Sequence, residues 1–314
     1  MNGKILSVII PTYNRKDLLK MVLNSLFGQT YPKDKCEIIV IDDGSTDGTN
    51  EMLNEIMRKA PCELRYFRQK NKGPGSSRNI GIKHARGELI LFIDDDVLPI
   101  PNLLEQHANM HKKYNTENVA ILGTIMWSTK LKISPFMYWL IREGPHFAHS
   151  REKDGARLDY KYFCTANISL KRSFIIENGI FNEDLRMFED IELGYRLQQQ
   201  GLQVIHSGNA VGYHLRGITI EEYACRNILA GKYATIFYRK WPKEFTSQSS
   251  SRANLKQIPK RIIGEILRPF IPILKYLIGR LDYYNCKVPY QFYSMILSYY
   301  FRIGMQKGLN ERLK

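Results

Sequence analysis

Residues 6–11, Leu-Ser-Val-Ile-Ile-Pro, form a near-continuous apolar run of strand length with no polar face. Such a strand has to be covered on both sides, as in a parallel sheet flanked by helices. The pattern recurs: residues 37–41, 64–67, 88–93 and 119–123 are further short apolar runs. Between them, residues 17–27, 49–57, 76–85 and 101–114 read as helices; in the first, Leu18, Leu19, Val22, Leu23 and Leu26 have helical spacing. This alternation predicts an α/β fold with a mostly parallel mixed sheet. Periodicity returns at residues 163–170, in a helix over 190–200 stopped by Gly201, and in a long helix over 219–239. Residues 128–160, with Pro135, Gly144, Pro145, His146 and His149, read as a long connection or lid.

Two of the apolar runs end in acid, Asp42-Asp43 and Asp94-Asp95-Asp96. Ligands of open α/β sheets bind beyond the carboxyl ends of the strands, so five carboxylates are predicted at one rim. That crowding is unfavourable unless a cation or hydrogen-bond donors offset it. A Mn²⁺ or Mg²⁺ with oxygen ligands would do so and would bridge substrate phosphates. Solvated turn aspartates or helix caps are the plainer reading, and Asp47 fits a cap equally well. Three acids behind a buried strand exceed what capping requires.

Five segments in order, SVIIPTYNR (7–15), VIDDGSTDGT (40–49), NKGPGSSRNIGI (71–82), GELILFIDDD (87–96) and FEDIELGYRLQQQG (188–201), resemble the family 2 glycosyltransferases. The resemblance covers roughly residues 5–215 and implies the GT-A fold of nucleotide-diphospho-sugar transferases and an inverting transfer. By that resemblance Thr12, Tyr13 and Asp43 hold the nucleobase, a ring stacking on it while the carboxylate accepts an imide N–H, which suits a UDP-sugar donor. Pro11 matches the proline that shapes this turn. Asp94 reaches the ribose or donor, Asp96 ligates the metal, and Asp95 can face either way. Arg78 meets the diphosphate or forms an ion pair with Asp42 or Asp94. Gly73 and Gly75 let the backbone approach the donor; without a following Gly-Lys-Ser/Thr they are no P-loop.

Inverting transfer needs a general base for the acceptor hydroxyl. The resemblance assigns Asp190 that role and Glu189 a contact with acceptor or donor; an acidic pair at a helix N-terminus is also what the helix dipole favours. Residues 164–172 resemble the acceptor-side segment, where Asn167 contacts a sugar or is a satisfied buried amide. His214 matches a position that binds metal or diphosphate. His107 and His111 have the spacing of zinc ligands but lack the Glu of HExxH, so a solvated helix face is expected. His146 and His149 can meet phosphate or acceptor from the lid.

Charge divides the chain near residue 225. Residues 226–314 carry 17 Lys/Arg against 4 Asp/Glu, whereas residues 1–225 carry 29 against 27. A catalytic domain is therefore expected over 1–225, with a donor half at about 1–125 and an acceptor and base half at about 126–225. A helical, basic segment follows over 226–314. In it, Ile262-Ile263, Ile266-Leu267, Phe270-Ile271, Ile273-Leu274 and Leu277-Ile278 alternate with Lys260, Arg261, Arg268, Lys275 and Arg280, and Pro269 and Pro272 interrupt the helix. Neither this stretch nor residues 288–303 offers the ~20 apolar residues of a bilayer span. Basic, aromatic-flanked amphipathic helices suit a membrane interface; packing on the catalytic domain or on a second copy is the alternative, so an oligomer is possible. The expected setting is cytoplasmic, at the cytosolic face of a membrane, with a glycan or lipid-linked glycan as acceptor. Five scattered cysteines without a CxxC pair fit a reducing compartment, and no signal-peptide pattern opens the sequence. No nucleic-acid-binding module accompanies the charge. A nucleotidyltransferase would carry a Gly-rich basic loop after its first strand, where Pro11-Thr12-Tyr13-Asn14-Arg15 has no glycine. An inactive membrane-associated binding protein would not need both acidic motifs.

Overall fold

A computed structural model describes residues 6–242 and 268–311. The chain divides into two compact units, residues 1–131 with 145–216 and residues 132–144 with 217–314. The boundary expected near 225 is thereby corrected. It falls inside one continuous helix, Ile220–Lys240, and the proposed acceptor half loses residues 132–144 to the other unit.

The first unit is built on a nine-stranded mixed sheet. Its strands are β1 (Leu6–Thr12), β2 (Cys36–Asp42), β3 (Glu63–Arg68), β4 (Leu89–Ile93), β5 (Val97–Pro99), β6 (Val119–Trp127), β7 (Arg157–Leu158), β8 (Asn167–Lys171) and β9 (Gln203–His214). The order is β3-β2-β1-β4-β8-β6-β9-β5, with β7 beside β9. Strands β1, β2, β3 and β4 run parallel, β8 is antiparallel to both its neighbours, and β6 is parallel to β9.

Alternation on the parallel strands explains their two apolar faces. Val8, Ile10, Ile38, Val40, Leu91 and Ile93 pack against Leu19, Val22 and Leu23 of α1 (Lys16–Phe27), Leu53 of α2 (Thr49–Met57) and Leu104 of α4 (Leu103–Lys113). Ile9, Ile39, Ile41, Ile90 and Phe92 point the other way, towards Ile82 of α3 (Pro74–His84), Ile175 of α6 (Arg172–Asn178) and Leu193 and Leu197 of α7 (Glu189–Gln199). The carboxyl ends of β1, β2 and β4 therefore lie side by side and open onto one rim.

His107 and His111 do not form a solvated helix face. Both are buried against β8. The amide nitrogen of Asn167 donates to the carbonyl oxygens of Thr124 and Ala210 at 3.2 and 2.9 Å, which settles the orientation of its amide. Its oxygen must then accept from His107 Nε2 at 2.9 Å. His107 Nδ1 accepts from the Ser169 hydroxyl at 2.8 Å, and the same oxygen accepts from His111 Nε2 at 2.9 Å. Asn167 is thus buried and engaged inside the sheet, which is the satisfied-amide alternative of its two readings. His149 is sealed in as well, so it meets neither phosphate nor acceptor.

The second unit contains α5 (Pro135–Arg142), α8 (Ile220–Lys240), α9 (Ile271–Tyr283) and α10 (Tyr290–Asn310) among the described residues. Pro272 stands in the first turn of α9, where its missing N–H has no intrahelical partner to lose. The expected clusters Ile262-Ile263 and Ile266-Leu267, with Lys260 and Arg261, lie outside the described residues. Helices α8 and α10 cross where Gly231 faces the Phe301 carbonyl and Gly304 faces that of Ile228, and a Cβ at either position would collide with backbone.

Two outcomes follow from this packing. Gly304→Val forces α8 and α10 apart and lowers stability by about 1–3 kcal/mol, read by urea denaturation. Burial holds His107 at about 4 and His111 and His149 at about 3, all below the ordinary value. The unfolded chain therefore takes up these protons first as pH falls. Stability is fully present above about pH 6.5 and declines between pH 6.5 and 4 by up to about 1.4 kcal/mol per pH unit for each histidine. Thermal unfolding across that range checks the slope, and His111→Gln makes it shallower.

Candidate active site

The turn after β1 places a cation among the acids. Asn14 adopts a left-handed φ of 52°, with its N–H on Ser45 Oγ at 2.9 Å and its Oδ1 accepting from the Thr46 N–H at 2.8 Å. The chain then delivers Arg15, whose Nη1 donates to Asp95 Oδ1 and to Asp96 Oδ2, each at 2.8 Å. The Thr12 hydroxyl donates to Asp95 Oδ2 at 2.7 Å. Burial and neighbouring Asp96 push the Asp95 carboxyl up to about 7, against the pull of Arg15 and the Thr12 hydroxyl. Burial works against the Arg15 charge, but Asp95, Asp96 and Asp94 outweigh it and hold the guanidinium above its ordinary range.

The three residues of the acidic triplet therefore face three ways. Asp95 turns inward to Thr12 and Arg15. Asp96 is buried and reaches His214, with Oδ1 and Nε2 at 3.5 Å. Asp94 keeps a third of its side chain exposed and pairs with Arg78 Nη2 at 3.0 Å. Arg78 is buried, and its Nη1 bonds Glu189 Oε1 at 2.9 Å. One guanidinium thus ties the end of β4 to the first residue of α7. Burial disfavours its charge, yet Asp94, Glu189 and Asp190 together raise its pKa. Asp190, next in the same helical turn, is half-buried and accepts from the Ile191 N–H at 2.8 Å.

Asp43 sits at the end of β2 with both oxygens engaged. Oδ1 accepts from the Lys72 N–H and the Gln69 amide at 2.8 and 2.7 Å, and Oδ2 from the Gly73 N–H at 2.8 Å. Gly73 has φ +96°, a conformation side-chain-bearing residues rarely adopt, so this loop needs its glycine. Asp47 accepts from the Lys16 and Thr49 N–H groups at 2.9 and 3.2 Å, fastening the starts of α1 and α2, as the capping reading has it. Pro11 lies within β1 opposite Ile41. Tyr13 projects from the rim with 47% of its surface exposed.

His214 Nδ1 lies 2.8 Å from the Arg216 carbonyl oxygen, which can only accept. The Arg216 N–H approaches the same nitrogen at 3.3 Å, and Nε2 is the ring nitrogen turned to Asp96. A backbone carbonyl orienting the far nitrogen is the usual arrangement for an imidazole that ligates a metal. Oxygen plus imidazole donors suit Mn²⁺, and carboxylate suits Mg²⁺, so Asp96 and His214 fit the group the fold implies. They make only a pair: among the described residues no group of three or more His, Cys, Asp or Glu is arranged to hold a metal. Trp127 surrounds this corner, with His146 stacked on it at 5.5 Å and His214 edge-on at 5.3 Å. Sequence reasoning missed Arg15 and Trp127. Arg15 had a usable signal, being a cation three residues beyond a strand end at a rim crowded with carboxylates.

Residues 7–177 match the family model described as Glycosyl transferase family 2, just over half of the chain. An uncharacterized glycosyltransferase of Bacillus subtilis, YfnE, is 29% identical over 246 residues, covering 62% of this chain and 61% of that protein. The chain thus spans about three fifths of that relative. Among solved structures, the mannosyltransferase PcManGT of Pyrobaculum calidifontis, in complex with GDP-Man and Mn²⁺, shares the fold at TM-score 0.67 and 21% identity, over 98% of this chain and 87% of that one. Residues 1–349 of Staphylococcus aureus TarS, in complex with UDP-GlcNAc, align at TM-score 0.54 and 17% identity, over 99% of this chain and 93% of that one.

Replacing Arg78 by Met strands Glu189 as a buried charge and frees Asp94. The expected loss is about 3 kcal/mol, the lower end for a broken buried pair because Asp94 is a third exposed. Equilibrium denaturation measures it.

Proposed function

The chain belongs to glycosyltransferase family 2, and from that premise we propose that it transfers a sugar, with inversion, from a UDP-sugar to a hydroxyl of a glycan or lipid-linked glycan. The observation that carries this reading is Arg78. Its two bonds, to Asp94 and Glu189, hold the donor-side strand end and the head of α7 at one site.

Each group then has a task. Tyr13 offers an exposed ring on which uracil stacks. Asp43, with lone pairs left beyond its three loop contacts, accepts from the imide N–H. Asp94 meets the ribose or the sugar. Asp190 takes the proton of the acceptor hydroxyl as its oxygen attacks C1 from the face opposite the diphosphate. The new C1–O bond forms while the bond from C1 to the diphosphate oxygen breaks, and the base later returns its proton to solvent. Asp96 and His214 would hold Mn²⁺ or Mg²⁺, which when bound supplies charge neutralisation to the leaving diphosphate. The charge of residues 226–314 supports a peripheral contact at the cytosolic face of a membrane, where lipid-linked acceptors are found.

Asp190→Asn removes the base and keeps the shape. UDP release from a panel of UDP- and GDP-sugars with Mn²⁺ and a mixed glycan acceptor should fall by at least about 10²-fold. Release that persists in the variant would remove Asp190 from the mechanism, and no release from any donor by the parent chain would remove the transferase reading.

A further inference from the structure

Helix α9 has two different faces. Ile271, Ile278 and Asp282 are buried, and Asp282 Oδ1 accepts from the Phe136 N–H at 2.6 Å and from the Tyr293 hydroxyl at 3.4 Å. That inner face anchors the helix within its own unit. On the other side Phe270, Ile273, Leu277, Leu281 and Tyr284 are all exposed, Ile273 by 61% and Leu277 by 52%. At 100° per residue these five fall within an arc of about 80°, centred about 120° away from the buried edge. Exposed Tyr276 and Tyr283 flank the stripe, with Arg280 between them. Single exposed apolar residues need no explanation, but a contiguous stripe does.

We propose that this face of α9 docks in the headgroup region of an anionic bilayer, with Ile273 and Leu277 entering the acyl boundary and Arg280 and Lys287 meeting lipid phosphates. The inference rests on the peripheral membrane contact proposed above and assigns it to particular side chains. Charge selects the occupant. From 268 to 287 the only acidic residue is Asp282, and it is buried, so the exposed surface there is apolar, aromatic and cationic. A second copy docking through the same patch would set Arg280 and Lys287 against their own equivalents. An anionic bilayer offers an apolar phase and a negative surface together. Thirteen residues make a helix of about 20 Å, short of the ~30 Å hydrocarbon core, and no described helix is long and apolar enough to cross a membrane. The helix lies in the interface instead of spanning it.

Flotation of the full chain tests this, with vesicles of phosphatidylcholine alone and with about 30% phosphatidylglycerol. Binding is expected to the anionic vesicles only. Ile273→Glu with Leu277→Glu should lower partitioning at least about tenfold with an unchanged melting temperature. Arg280→Glu with Lys287→Glu, which leaves the apolar stripe in place, should weaken binding and flatten its salt dependence. Absence of binding to anionic vesicles overturns the proposal, as does equal binding by the first double variant. Concentration-dependent dimerisation that the first variant abolishes, with no flotation, would assign the stripe to a second copy. Flotation needs no donor, so a chain that releases UDP without floating loses this inference alone, and one that floats without releasing UDP loses only the transferase reading.

Discussion

The crowding of negative charge at the ends of β2 and β4 governs this structure. The parallel sheet brings Asp42, Asp43, Asp94, Asp95 and Asp96 to one rim, because each pair or triplet directly follows a buried strand. Carboxylates that close are tolerated only with compensation, and it comes in separate pieces. Arg15 serves Asp95 and Asp96, Arg78 serves Asp94, and Asp43 is met by N–H donors of the loop that leads into α3. Asp42 accepts from the Ser45 N–H at 2.7 Å and from the Tyr66 hydroxyl at 3.1 Å. All of these partners lie in the same unit as the acids.

Regular elements on the parallel strands were legible because burial on both faces writes an unbroken apolar run. Thr49–Met57 matches its predicted helix residue for residue. Residues 128–160 were not legible, because their apolar residues serve two separate units. Phe136 packs edge-on against Tyr223 at 5.9 Å and Tyr293 at 5.2 Å, while Trp127 and His146 stay with the sheet. A local pattern cannot report partners 87 and 157 residues away, and so the charge-based boundary at 225 misses a division that cuts the chain at three points.

Buried polar networks explain the remaining misses. A histidine at i, i+4 spacing looks the same in sequence whether it faces water or a serine across a sheet. What distinguishes His107 and His111 is Ser169 and Asn167, two polar residues on a strand otherwise made of Ile168 and Leu170. Polar side chains at alternate positions of a covered strand mark a partner that must also be buried, since unpaired polar groups there cost too much to persist. That rule, applied to β8, finds the histidines of α4 as the available partners.

Arg78 shows why the acids at the rim do not have equal roles. A buried guanidinium needs compensating carboxylates close by, and Asp94 and Glu189 hold it at 3.0 and 2.9 Å. Asp95 shares Arg15 with Asp96, and burial pushes its carboxyl up to about 7. Asp190 accepts from the Ile191 N–H of its own helix and adds its charge to those that raise the Arg78 pKa. It is also only half-buried. A proton acceptor for a substrate hydroxyl needs access, and by that argument half-buried Asp190 is better suited than buried Glu189, one residue before it in the same turn.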